Sequence, residues 1–67
     1  MESYGAILKT KREEKGLDYD VISRDTSIAA LYLKALEEED SAAFPGEPYL
    51  VGFLKNYAEY LGVDSAK

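Results

Sequence analysis

Residues 18–38, DYDVISRDTSIAALYLKALEE, carry the pattern of two short helices joined by a turn. Asp18 is a good N-cap for the first of these helices, which we expect to end near Asp25 or Thr26. A turn of about three or four residues then leads to the second helix, which is the outline of a helix-turn-helix. We predict this second helix over about residues 29–38, because apolar side chains recur there at the spacing of a core-facing stripe: Ile28, Tyr32, Leu33 and Leu36.

One further helix is predicted on each side of this pair. The first helix of the chain begins after Ser3, which is a good N-cap. It ends at Gly16, because glycine readily takes the left-handed conformation that terminates helices. The last helix is predicted over residues 48–61, with a proline in its first turn, and Gly62 stops it in the same way.

The segment 41–47 is predicted to be a loop, since it contains a proline-glycine pair. Phe44 is apolar enough to hold this loop against the core. The sequence shows no strand pattern and no internal repeat, so the expected fold is all-α: a small repressor-like bundle of four helices forming a single domain over residues 1–67. Asp64 could cap a fifth helix, which leads us to expect a longer parent protein.

The composition argues against most catalytic and metal-binding chemistry. The 67 residues include no Cys and no His, which removes thiolate nucleophiles, imidazole bases and zinc sites of the Cys/His type. The acidic residues lack the ligand spacing of a calcium loop. No apolar run of about 18 residues could span a membrane. We therefore expect a protein that is not an enzyme and that uses no cofactor and no metal.

Charge disfavours binding to nucleic acid. The chain has 13 acidic and 8 basic residues, a net charge of −5, whereas DNA-binding proteins use Lys and Arg to neutralise phosphates. The second helix of the predicted pair begins with Ala29, Ala30 and Leu31, which offer no polar group to base edges. Its one basic residue, Lys34, is followed by the acidic run 37–40, which we interpret as a solvated face. A DNA-binding transcriptional regulator is therefore the alternative function.

The last helix has more apolar surface than a helix on the outside of a domain needs. At about 100° per residue, a complete core-facing stripe is formed by Leu50, Leu54, Tyr57, Ala58 and Leu61. Beside it lies a second, aromatic column formed by Tyr49, Phe53 and Tyr60. Together with Val51 the apolar arc reaches about 200°, roughly twice what core packing requires.

This aromatic column has two interpretations. In so small a domain, the first helix or the loop around Phe44 could cover Tyr49 and Phe53, which would then be ordinary core residues. Alternatively, the column is a docking surface, because Tyr and Phe bury a large area at low entropic cost. Gly52 borders the column and would allow a partner backbone to come close, although it costs roughly 1 kcal/mol relative to Ala within a helix.

Several segments of the chain carry a family resemblance. They are Lys15-Gly16-Leu17, Ile28, Tyr32-Leu33-Lys34-Ala35-Leu36-Glu37, Phe44-Pro45-Gly46, Tyr49, Gly52-Phe53-Leu54-Lys55-Asn56-Tyr57-Ala58 and Leu61-Gly62-Val63-Asp64. In this order they resemble the cytoplasmic helix-turn-helix domain of the RodZ cell-shape proteins. The resemblance covers nearly the whole chain, and its most distinctive part is the proline-glycine loop with the helix that follows. Two departures are Ala29, where a better N-cap is common, and the acidity of this chain.

The resemblance implies a non-catalytic adaptor in bacterial rod-shape maintenance. In RodZ proteins this domain lies at the inner face of the cell membrane, belongs to a membrane-anchored protein, and binds the actin-like protein MreB. Two aromatic positions, one turn apart on the last helix, contact MreB in that family, and they match Tyr49 and Phe53. The candidate partner-binding residues lie on this flank of the helix: Tyr49, Gly52, Phe53, Asn56 and Tyr60.

Overall fold

The structure, a computed structural model, describes residues 3–63, and within this range it is all-α. Its helices are α1 (Tyr4–Glu14), α2 (Tyr19–Thr26), α3 (Ala30–Glu38) and α4 (Glu47–Leu61). A 3₁₀ turn, Ser41–Ala43, lies in the segment before α4. These bounds closely match the predicted helices and confirm the four-helix bundle. The cap predicted at Asp64 lies outside the described residues.

Local signals at the helix ends act as predicted. The Asp18 carboxylate accepts a hydrogen bond from the backbone N–H three residues later, at 2.9 Å. The Ser3 hydroxyl oxygen does the same at the start of α1, at 3.4 Å. Gly16 and Gly62 have φ angles of 66° and 81°, in the left-handed region where a side chain would be strained. These bonds and conformations satisfy backbone groups that a helix end leaves open.

The turn between α2 and α3 is held together by Thr26. Its hydroxyl donates to the carbonyl oxygen of Ile22 at 2.7 Å and accepts from the backbone N–H of Ile28 at 3.2 Å. Ser27, between them, takes the left-handed conformation with φ of 62°. The chain changes direction here within a few residues, and α3 then starts without a side-chain cap, because Ala29 has no acceptor to offer.

The core is formed where α3 packs against the other three helices. The buried apolar residues are Leu8, Ile22, Ile28, Leu33, Ala35, Leu36, Phe44, Tyr57, Ala58 and Leu61. This set confirms most of the core predicted for α3 and the C-terminal half of α4. Leu50 and Leu54 belong to the predicted stripe of α4 but are only half-buried. Leu50 lines a shallow depression between the 3₁₀ turn and α4, which leaves it accessible to solvent.

One charged residue lies inside the bundle. Glu37 of α3 is only 9% exposed, and its carboxylate pairs with the guanidinium of Arg12 on α1, at 2.7 Å from Nε. The same carboxylate accepts hydroxyl hydrogen bonds from Tyr19 of α2 at 2.9 Å and from Tyr57 of α4 at 2.5 Å. The prediction that the whole run 37–40 is solvated was therefore wrong for Glu37. Position 37 lies one helical turn after a core leucine and faces inward.

The ionised form of Glu37 is favoured. Burial opposes ionisation, but hydrogen bonds from Arg12, Tyr57 and Tyr19 outweigh it and hold the pKa of this carboxyl below its usual range. Burial and the bond to Glu37 raise the pKa of the Tyr57 and Tyr19 hydroxyls, which therefore remain donors. The Arg12 guanidinium also lies 4.5 Å from the ring centroid of Tyr19. A single carboxylate thus links all four helices.

Helices α1 and α3 are in close contact at Gly5. A Cβ atom at this position would overlap the carbonyl oxygen of Glu37, so no larger residue fits without moving a helix. The Gly5 N–H donates to the Glu39 carboxylate at 3.0 Å. Glu39 is the left-handed C-cap of α3, with φ of 58°. It is exposed, and its side chain also caps a backbone N–H in the first turn of α1. Two members of the acidic run have structural partners.

Candidate docking surface

The start of α4 determines where the candidate residues lie. Gly46 is the N-cap, and Pro48 follows in the first turn, where its missing N–H leaves no helical bond unmade. Tyr49 comes next and is 56% exposed, one of the most exposed large apolar side chains of the described residues. We use the term docking surface for the flank of α4 formed by Tyr49, Gly52, Phe53, Asn56 and Tyr60.

The docking surface is uncharged and partly aromatic. Tyr49, Gly52 and Asn56 are exposed, whereas Phe53 and Tyr60 are half-buried. The rings of Tyr49 and Phe53 pack at a tilt of 53° with their centroids 6.4 Å apart. Aromatic pairs prefer such tilted arrangements. The five residues carry no charge that a partner would have to desolvate.

Phe53 is supported from below by two rings from other parts of the chain. Its centroid lies 5.2 Å from that of Tyr32 on α3 and 6.1 Å from that of Phe44 in the loop. The Tyr32 and Phe44 rings stack on each other at 5.1 Å with an interplanar angle of 23°. We call Tyr32, Phe44 and Phe53 the aromatic cluster. Every ring of the cluster touches the other two, which restricts the orientations that Phe53 can take.

Other elements of the domain cover only part of the aromatic column. Phe44 does hold the loop to the core, as predicted, and it covers one side of Phe53. It does not cover Tyr49, which stays exposed. Contact between Tyr32 and this flank was not predictable from the sequence, because it depends on how α3 and α4 pack. The available signal was that Tyr32 carries a hydroxyl within an otherwise aliphatic stripe.

Tyr60, at the far end of the docking surface, is tied to α2. Its hydroxyl donates to the Asp25 carboxylate at 2.6 Å, and this bond raises the pKa of Tyr60 above its usual value. Asp25 also lies 3.7 Å from the Arg24 guanidinium. Tyr60 therefore presents part of its ring to solvent while its polar end has an internal partner.

Gly52 and Asn56 form the outer edge of the docking surface. A Cβ atom at Gly52 would meet no other part of the described protein within 4 Å. Nothing inside the domain therefore requires a glycine at this position, in contrast to Gly5. Asn56 lies one turn further along and is exposed. The open space above Gly52 is compatible with close approach of a second backbone.

The outward face of α3 is the other surface that the predictions concern. Leu31 is 62% exposed, and Lys34 is exposed as well. Among the described residues no ion pair within 4 Å joins Lys34 to Glu38, which lies four positions later on the same helix. The start of α3 presents an apolar side chain where base recognition needs a donor or acceptor.

Residues 3–63 show neither a metal-binding cluster nor a membrane-spanning helix. In this range no group of three or more acidic, histidine or cysteine side chains is arranged to hold a metal ion. None of the four helices has the length and apolar character needed to cross a lipid bilayer.

The fold, the turn between α2 and α3 and the flank of α4 define a small helical domain of the helix-turn-helix class. A protein-family model described as a helix-turn-helix domain matches residues 7–67. The chain therefore belongs to this helix-turn-helix domain family, which is part of the Xre/RodZ-type group. Neither the comparison with curated proteins nor the comparison with solved structures gave a significant match.

Proposed function

We propose that this domain is a non-catalytic adaptor that binds the actin-like protein MreB through the docking surface, in bacterial rod-shape maintenance. The observation that carries the proposal is the exposure of Tyr49 beside the supported ring of Phe53. These are the two positions at which the RodZ resemblance implies a contact with MreB. In this proposal the parent protein is membrane-anchored and the domain lies at the cytoplasmic face of the membrane.

The free-energy cost of forming the complex is low at this surface. A side chain that is already held in place loses little conformational entropy on binding. The aromatic cluster restrains Phe53, and Tyr49 packs against it with few rotatable bonds. Binding energy at protein interfaces concentrates in a few large side chains such as Tyr. Tyr49 and Phe53 therefore have the properties of an interface centre.

Co-sedimentation with polymerised MreB tests the proposal. We expect the domain to bind in a saturable way, and Tyr49→Ala to weaken binding by about 2 kcal/mol or more, the usual threshold for a hot spot. Because Tyr49 is mostly outside the core, circular dichroism should show an unchanged fold. Glu59→Ala is the matched control, since Glu59 lies on the same helix and is exposed on another side. Full affinity of Tyr49→Ala would contradict the proposal.

The alternative function is DNA binding by a transcriptional regulator. The observation in its favour is the helix-turn-helix formed by α2 and α3, with Lys34 exposed on the second helix. The net charge of −5 and the apolar start of α3 act against it. Titration with duplex DNA at two salt concentrations discriminates the functions. DNA binding that weakens steeply with increasing salt would favour the regulator. Binding to MreB without binding to DNA would favour the adaptor.

A further inference from the structure

The hydroxyl groups of the tyrosines differ in whether the domain itself satisfies them. Six tyrosines are present, and three donate to an internal carboxylate: Tyr19, Tyr57 and Tyr60. Within residues 3–63, the hydroxyls of the other three, Tyr4, Tyr32 and Tyr49, have no hydrogen-bond partner. No buried side-chain oxygen or nitrogen in this range lacks a partner, so the hydroxyl of half-buried Tyr32 reaches solvent.

The rings of Tyr32 and Tyr49 both pack against the ring of Phe53. Their ring centroids are 5.2 Å and 6.4 Å from that of Phe53. They come from different helices, so the accessible aromatic surface continues from α4 onto α3. A partner that covers Phe53 and Tyr49 would meet Tyr32 at the edge of the same patch. The docking surface defined from α4 alone is therefore incomplete.

We propose that Tyr32 is a further contact residue of the docking surface and that its hydroxyl selects the partner. This inference rests on the proposed function. The ring of Tyr32 supports Phe53, and its hydroxyl donates a hydrogen bond to a carboxylate or backbone carbonyl oxygen on MreB. An interface that buries a hydroxyl without an acceptor loses free energy. A partner surface of similar shape that has no acceptor opposite the Tyr32 hydroxyl therefore binds more weakly.

Tyr32→Phe is the decisive variant, because it removes the hydroxyl and keeps the stacked ring. We expect at least about fivefold weaker binding to polymerised MreB, which is the typical effect of losing a hydrogen bond to a backbone carbonyl, and a larger loss if the acceptor is a carboxylate. The thermal midpoint should not change, since no group in residues 3–63 bonds this hydroxyl. The matched control is Tyr4→Phe, which removes a hydroxyl from half-buried Tyr4 on α1 and should leave binding unchanged.

The outcomes separate this inference from the proposed function. Weaker binding of Tyr32→Phe at an unchanged midpoint, with Tyr4→Phe unaffected, supports it. If Tyr49→Ala loses affinity but Tyr32→Phe keeps it, the role of Tyr32 is overturned and the adaptor function stands. If Tyr49→Ala keeps full affinity, both proposals fail. A loss of affinity in Tyr32→Phe that only follows a lower midpoint would also overturn the inference, because the hydroxyl would then serve the fold.

Discussion

Glu37 is the residue on which the arrangement of the helices depends most directly. Its carboxylate has partners on α1, α2 and α4, and each partner is itself at least half-buried. A buried ion pair contributes little net stability compared with apolar residues of the same shape, but removing one partner alone leaves a buried charge uncompensated. The contribution of Glu37 is therefore to fix one arrangement of the helices.

Replacing Glu37 by glutamine should destabilise the domain strongly. Glu37→Gln keeps the shape but removes the charge that pairs with Arg12, and we expect a loss of about 3 kcal/mol in the free energy of unfolding. Urea unfolding followed by circular dichroism measures it. Glu38→Gln is the control, because Glu38 is the exposed next residue and should change stability by less than about 0.5 kcal/mol. Equal effects of the two variants would contradict the role given to Glu37.

The burial of Glu37 was only partly predictable from the sequence. Helical periodicity places position 37 one turn after Leu33, on the inward face, and that part was open to prediction. Residue type pointed the other way, because four consecutive acidic residues usually form a solvated surface. The partner that makes burial possible, Arg12, lies 25 positions earlier in the chain. Such a pairing depends on tertiary packing, which no local pattern reveals.

At the scale of elements, α3 and α4 differ in how completely the bundle surrounds them. Leu36 of α3 is fully buried, with 0% exposure, whereas Leu54 of α4 is half-buried. The sequence pattern placed both in the core with equal weight. Helix bounds were predictable because caps and stop signals are local. The depth of each side chain was not, since it depends on which helix lies over it.

This difference predicts unequal costs of truncation. Leu36→Ala should cost about 2–5 kcal/mol, because it removes methyl groups from a closed core and leaves a cavity. Leu54→Ala should cost less than half as much, because solvent already reaches that side chain. Thermal or urea unfolding of both variants gives the comparison. Equal losses would mean that Leu54 is as deeply buried in solution as Leu36.

The same reasoning applies to the candidate site. The aromatic column was predictable from spacing along α4, including Tyr49 and Phe53 as neighbours. Its division into a supported ring and an exposed ring was not predictable, because Phe44 and Tyr32 reach it from other elements. A helical projection shows only in which direction each side chain points. The aromatic cluster could not be found in this way, because its three rings come from three different segments of the chain.

For the whole molecule, the charge state of the buried network predicts how stability depends on pH. The folded-state pKa of Glu37 lies below its ordinary value of 4.5. The stabilisation that ionised Glu37 gives the fold is therefore fully present above the unfolded-state pKa and is lost as the pH falls through the folded-state pKa. The pKa values of Tyr57 and Tyr19 are raised, so these residues affect stability at alkaline pH. The stabilisation that their protonated hydroxyls provide is lost as the pH rises above the ordinary value of 10.0.

We therefore expect a plateau of stability near neutral pH with a decrease on both sides. Urea midpoints measured from about pH 2 to pH 11 would show it. The matched variant is Arg12→Met with Glu37→Met, which removes both charges together. Its acid decrease should be much smaller than that of the parent. An equally steep acid decrease in this double variant would show that other carboxylates cause it.

The hydrogen bonds from tyrosine hydroxyls to carboxylates also affect the fluorescence of the domain. The chain contains no tryptophan, so its intrinsic fluorescence comes from six tyrosines. An excited tyrosine is a stronger acid than one in the ground state, and a carboxylate in hydrogen-bond contact accepts its proton and quenches emission. Tyr19, Tyr57 and Tyr60 are bonded in this way. We therefore expect the folded domain to be dim and to brighten as it unfolds, with most of the folded-state emission coming from Tyr4, Tyr32 and Tyr49.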